Sequence, residues 1–212
     1  MTKAPAFDEV ELLDEQGHSI GLATKASAHG PDPLRHLAFS CHVLTGRGEV
    51  LITRRALSQS GWPGVWSNSF CGHPEAAEPL LAAVRRRAGY ELGLELEHLE
   101  LSWPMFRFRT MHVSGAVEAE ACLVYIASTS RQPTVHPAEI MDHAWVDPLE
   151  LGRSIRLTPS VFSPWLVLQA ELLPLLGGAD RAVGPRQQAS SGADDAETYD
   201  ARTNDALERV LK

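Results

Sequence analysis

Ser69-Phe70-Cys71-Gly72-His73-Pro74, with the run behind it that closes on Tyr90-Glu91-Leu92-Gly93, is the stretch whose reading decides the fold. The segment Gln59 to Pro74 is rich in Gly, Pro, Trp, Ser and Asn and reads as a structured loop, the kind of place where function concentrates. A helix is predicted behind it, with Glu78 at the boundary, Pro79 near the first turn and Gly93 just past the end. Leu81, Val84 and Ala88 recur at near-helical spacing and are expected to face the core. Arg87 and Glu91 are four residues apart, so they share a face and can pair.

On the N-terminal side, Val10 to Leu22 alternates apolar stretches around the turn signal Glu15-Gln16-Gly17 and predicts two short strands. A polar loop follows from Thr24 to Leu34. His36 to Leu44 is largely apolar and strand-like, and Gly46-Arg47-Gly48 turns it into a second strand from Glu49 to Thr53. On the C-terminal side, Leu99 to Phe108 and Val117 to Ala127 predict strands, with Ala121, Leu123, Tyr125 and Ala127 on one sheet face. Ala144-Trp145-Val146 predicts a short strand, Leu149 to Gly152 the start of a turn or helix, and Ser163 to Leu176 a helix opened by Pro164. From Gly177 the composition shifts to Gly, Ala, Asp, Ser and Gln. Residues 1–176 are therefore expected to form one domain and 177–212 a disordered tail, with a short terminal helix at Asp205 to Leu211.

At 212 residues the chain is long enough for one domain with a real core, and 44% hydrophobic residues suit a globular protein. A net charge of -8 argues against nucleic acid as partner, because phosphate neutralisation needs a basic face. Arg54-Arg55 and Arg85-Arg86-Arg87 are local basic clusters that could serve one small phosphorylated ligand or form a solvated helix face. No apolar run approaches the roughly 20 residues that span a bilayer, and Met1 to Asp14 lacks a signal-peptide pattern. Three widely spaced cysteines, Cys41, Cys71 and Cys122, do not make a disulfide framework. Reduced thiols and a cytoplasmic location, without membrane association, are expected.

Chemistry concentrates in two places. Glu118 and Glu120 alternate on a predicted strand, so both carboxylates point to one face a few ångström apart and would repel unless a cation lay between them. His73 offers a nitrogen from the loop, and His29 and His36 bracket the start of the first long strand. Three imidazoles and two carboxylates would suit Zn, Mn or Fe, although the spacing is not diagnostic. Cys71, beside Gly72 and His73, could be nucleophile, acid or structural thiol.

Six stretches then resemble, in order, the signatures of one family. They are His36-Leu37-Ala38-Phe39-Ser40, Thr53-Arg54-Arg55-Ala56-Leu57-Ser58, Trp62-Pro63-Gly64-Val65-Trp66, Asn68 through Pro74, Tyr90-Glu91-Leu92-Gly93 and Phe162-Ser163-Pro164-Trp165. The family is type 1 isopentenyl-diphosphate isomerase, and the likeness covers roughly residues 8 to 175. It implies a Nudix-like α/β fold, a mixed sheet flanked by helices in a single domain. Gly72, Glu78, Arg86, Glu91 and Gly93 keep the frame of the Nudix box, but Arg87 and Tyr90 stand where a hydrolase carries Glu. Those missing carboxylates weigh against a Nudix pyrophosphohydrolase, one alternative reading; a weakly active diphosphate-binding relative is the other.

The resemblance further implies roles for single residues. Cys71 and Glu120 would be the acid/base pair on opposite faces of the substrate. His29, His36, His73, Glu118 and Glu120 would hold Mn or Zn, while Glu91 and the Cys71 backbone carbonyl would hold Mg with the diphosphate. Lys25, Arg55 and Arg87 match phosphate-binding positions, and Trp165 matches the indole beside the reacting carbons. Gln59 replaces a second phosphate-binding Lys, and Phe108 replaces a Tyr near the catalytic carboxylate. Trp66 is expected either to wall off water or simply to pack in the core. The partner expected is a small allylic or homoallylic diphosphate, bound by a monomer or homodimer.

Overall fold

The computed structural model describes residues 9–29, 33–112 and 117–178. The expectations for residues 205–211 and for all but the first two positions of the tail fall outside these residues. Its elements are β1 (Glu9–Leu13), β2 (Ser19–Thr24), α1 (Lys25–Ala28), β3 (His36–Leu44), β4 (Val50–Arg55), β5 (Trp66–Ser67) and β6 (Phe70–Gly72). These are followed by α2 (Leu80–Leu92), β7 (His98–Met111), β8 (Val117–Ser128), β9 (Ile140–Val146), α3 (Pro148–Leu157) and α4 (Pro164–Leu172). No helix among the described residues is long and apolar enough to cross a membrane.

The strands form one mixed sheet centred on β3, with helices on both faces. A strand covered on both sides is mostly apolar, and β3 is buried along almost its whole length, its polar exceptions His36, Ser40 and His42 each having partners in the site or the second core. Leu37, Phe39, Cys41 and Val43 face α2, packed with Val84, Ala88 and Leu92. Ala38 faces the other way, into a second core with Trp165 and Leu166 of α4 and Ile155 of α3. β8 divides as its alternation predicts: Ala121, Leu123, Tyr125 and Ala127 join the α2 side, Cys122 and Val124 the α4 side.

Local chemistry sets the element ends. Asp147 caps α3 by accepting from the N–H groups of Leu149 and Glu150, with Pro148 in the first turn. Gly93 closes α2 in the left-handed region. The Thr45–Glu49 hairpin joins β3 to β4 as expected.

Several expectations need correction. Val84 and Ala88 face the core as expected, but Leu81 is 45% exposed, and Leu80 and Ala83 take the inward positions beside them. The Gln59–Pro74 loop contains β5 and β6, because Ser67 pairs with Thr53, and Cys71 pairs with Ser40 of β3. Cys71 therefore stands on a strand. The polar Thr24–Leu34 loop begins with the one-turn helix α1, and the helix expected to run to Leu176 ends at Leu172, where Leu173 precedes Pro174.

Candidate active site

Register builds the site. β3 and β8 run parallel with His36 beside Glu120, and β6 joins β3 with Cys71 opposite Ser40. His73 lies one residue beyond β6, and α1 delivers Lys25 and His29. Residues far apart in sequence thus converge at one end of the sheet.

His29 Nε2 lies 3.2 Å from His36 Nε2. Glu120 Oε1 lies 3.6 Å from His36 Nε2 and 3.4 Å from His73 Nε2. Donor atoms of these four residues fall within 4.8 Å of one another. Glu118 stands at the border of the group, its Oε1 3.6 Å from His29 Nδ1. His36 Nδ1 donates to the Leu34 carbonyl at 2.9 Å, which aims Nε2 at His29 and Glu120. Both His73 ring nitrogens are buried without a hydrogen-bond partner among the described residues. Burial lowers His29 and His73 to about 4, so both are neutral, ligand-ready imidazoles at pH 7. Burial alone would raise the Glu120 carboxyl, but the imidazoles of His36 and His73 beside it outweigh that and hold it below the ordinary range. Converging neutral nitrogens around a carboxylate fit a divalent cation such as Zn or Mn.

Beside this group, Asn68 organises Cys71 and Trp165. Its Nδ2 donates to the Cys41 and Phe70 carbonyls, at 3.0 and 2.7 Å, which turns Oδ1 towards three donors. Those are Cys71 Sγ at 3.2 Å, Trp165 Nε1 at 2.9 Å and Ser67 Oγ at 3.0 Å. Burial pushes the Cys71 thiol up to about 12, so it is a protonated thiol at neutral pH. Phe108 pairs with Glu120 across β7 and β8 and has its ring centroid 6.3 Å from that of Trp165, where it offers no hydrogen bond.

A polar strip forms the rest of the cavity, whose volume is about 750 Å³. Arg87 holds Glu91 at 2.9 Å through Nε and lies 3.7 Å from Glu139, which accepts from Gln59 Nε2 at 2.6 Å. Gln59 Oε1 in turn accepts from Arg55 at 3.3 Å. Burial raises the Glu91 carboxyl to about 7 despite Arg87. Gly72 lets this strip close onto the sheet: an added Cβ would meet Phe39 Cζ at 2.8 Å and Arg87 Cγ at 3.0 Å. We expect Gly72→Ala to cost about 1–3 kcal/mol by overpacking, read as a lower Tm together with weaker diphosphate binding as Arg87 shifts.

Of the catalytic, substrate-binding and metal-ligating side chains expected from the sequence, all but His36 and Glu120 line this cavity, and those two adjoin His29 and His73, which do; Phe108 does not line it. Trp66 does not line it and packs against the α4-side core, whereas Trp62 of the same motif does. Sequence reasoning gave no role to Asn68, Trp62 or Glu139. Asn68 stood inside a quoted motif, but nothing in the spacing marked Glu139.

Inward from Cys71, Ser40 Oγ lies 3.6 Å from Sγ and donates to Gln169 Oε1 at 3.3 Å; His42 Nε2 also donates to that oxygen, at 2.9 Å. Burial lowers His42 to about 4. The unfolded chain, with an ordinary value near 6.5, therefore binds a proton that the folded protein refuses between the two values. Stability is fully present above 6.5 and falls as the pH drops towards 4, by about 3 kcal/mol for this group. Urea titrations of the native protein and His42→Gln at a series of pH values check this, the variant being the flatter of the two.

The NUDIX domain family model matches residues 34–166. A curated relative from Agromyces mediolanus named isopentenyl-diphosphate Delta-isomerase is 58% identical over 175 residues, covering 82% of this chain and 85% of the relative. One of the same name from Citrobacter koseri is 45% identical, covering 77% and 90%. A solved structure from Deinococcus radiodurans superposes with a TM-score of 0.59 at 19% identity, covering 76% of this chain and 96% of that one, and shares the fold.

Proposed function

The chain belongs to the isopentenyl-diphosphate Delta-isomerase family within the NUDIX fold, and from that premise we propose that it interconverts isopentenyl and dimethylallyl diphosphate using Cys71 and Glu120 as its acid/base pair. The observation that carries the reading is one cavity in which a half-buried thiol and a histidine–carboxylate cluster adjoin a strip containing Arg55 and Arg87. Protonation at C4 uses the C3–C4 π pair and leaves a tertiary cation at C3. Loss of a proton from C2 returns a pair to form C2–C3, so the atoms balance and the reaction is reversible.

Cys71 as thiol and Glu120 as carboxylate start in complementary states, one able to give a proton and the other to take it. Trp165 presents a π system to the cation, worth about 2 kcal/mol or more when desolvated. Lys25, Arg55 and Arg87 bind the diphosphate, and that remote binding energy holds the alkene in place. His29, His36, His73, Glu120 and, at the border, Glu118 would hold Zn or Mn, which when bound neutralises and orients the Glu120 carboxylate. Glu91 and the Cys71 carbonyl are hard oxygen donors suited to Mg and the diphosphate. Hydrolysis is disfavoured because Arg87 pairs with Glu91 and Tyr90 stacks on His136, where a hydrolase box has carboxylates.

The test is incubation with isopentenyl diphosphate, Mg and Zn or Mn in deuterated water, followed by NMR. Deuterium incorporation with a dimethylallyl product is the expected result. Phosphate release would make the protein a hydrolase, and an unchanged ligand would make it a binding module.

A further inference from the structure

Trp62 is one of two non-glycine residues among those described with positive φ, at 45°. For a bulky side chain that is a strained outlier, and it persists only where its surroundings impose it. Here Arg55 Nε donates to the Gly61 carbonyl at 2.9 Å, and Arg54 Nε to the Gly64 carbonyl at 2.9 Å. The Gly64 N–H also donates to the Arg55 carbonyl at 3.0 Å. Gly61 lies close against Glu118, whose Oε1 would stand 2.9 Å from an added Cβ. The turn is thus fastened to β4 and seated against the carboxylate side of the site.

What this turn aims is the indole. Trp62 stands perpendicular to Trp165, with centroids 5.5 Å apart at 88°, and edge-on to His112, at 5.3 Å and 73°. Trp62 lies on the wall common to the reaction cavity and a second cavity of about 800 Å³. The second is a mostly apolar groove bounded by Val65, Phe162, Pro164, Val167 and Leu168, and it opens to solvent. Its chemistry suits hydrocarbon, and Trp62, with His112, stands between it and the cavity that Trp165 lines.

We propose that Trp62 is the chain-length stop of this enzyme, the partition that confines the substrate to five carbons and excludes isoprenoid diphosphates whose apolar chain would run on into the groove. This rests on the isomerase reading above, which puts the prenyl carbons against Trp165. A small side chain at position 62 joins the two cavities, and each further methylene that enters the groove then adds hydrophobic binding that the native wall denies.

The test uses saturated diphosphates, so that binding is read without turnover. Calorimetry with Mg compares 3-methylbutyl diphosphate with 3,7-dimethyloctyl diphosphate on the native protein, Trp62→Ala and Trp62→Leu. The native protein is expected to prefer the five-carbon ligand by roughly 100-fold, and the Ala variant to lose that preference or reverse it, with Leu between them. Trp62→Leu decides the matter if the Ala variant does not fold. Native binding of both ligands alike overturns the proposal, as does discrimination kept within about threefold in the folded variants. Turnover of isopentenyl diphosphate by the native protein is measured in parallel. The expected binding pattern without turnover sinks the isomerase reading and leaves the partition standing, whereas failure to bind either ligand overturns both.

Discussion

Cys71→Ala and Glu120→Gln are each expected to lower isopentenyl diphosphate isomerisation by about a thousandfold or more, with melting temperatures close to native. The size follows from the task. An unactivated alkene takes up a proton only from a correctly placed acid, and the cation relaxes to product only if a base stands ready on the other face. On the proposed reading the diphosphate is bound by Lys25, Arg55 and Arg87, which neither substitution alters, so KM should move little while kcat collapses. Glu120→Gln keeps the shape of the side chain next to His36 and His73 but removes the charge. Cys71→Ala deletes one of three donors to Asn68 Oδ1, and Trp165 and Ser67 still occupy that oxygen. Full turnover by either variant would remove that residue from the chemistry.

His36→Ala should produce a loss of similar scale by a different route. His36 is fully buried, its ring 4.9 Å from that of His29 and 5.1 Å from that of His73. Without it the remaining donors no longer enclose a cation. The bound Zn or Mn, measured by mass spectrometry after gel filtration, should fall to background, with activity down by roughly a hundredfold or more. Chelation of the native protein should reproduce the loss, and readdition of metal should restore the native protein but not the variant. A His36→Ala protein that keeps its full metal content would show that the cluster is not the metal centre.

Much of the frame was legible because it depends on near neighbours in the chain. β3 starts and stops where its apolar run does, the Gly-rich turn joins it to β4, and α2 ends at Gly93. The alternation in β8 sorted Ala121, Leu123 and Tyr125 from Cys122 and Val124, and it placed Glu118 and Glu120 on one face. Where near-neighbour reasoning failed, a distant partner was responsible. β6 is too short to announce itself and exists because Ser40 offers Cys71 a ladder position. Val84 and Ala88 kept their predicted places, but Leu80 rather than Leu81 packs into the core with Phe39 and Val43, because helical spacing admits either leucine beside Val84 and the facing layer takes only one.

By itself the sequence determined which chemical groups are present and the family order of their motifs, since residue identity and local spacing are written in the chain. Only the tertiary structure decided how those groups face one another. The parallel register of β3 and β8 sets His36 beside Glu120, the Asn68 amide turns one oxygen to both Cys71 and Trp165, and it is Trp62, not Trp66, that reaches the cavity. Those relations depend on hydrogen-bond register and close packing between segments far apart in the chain, which no local pattern encodes.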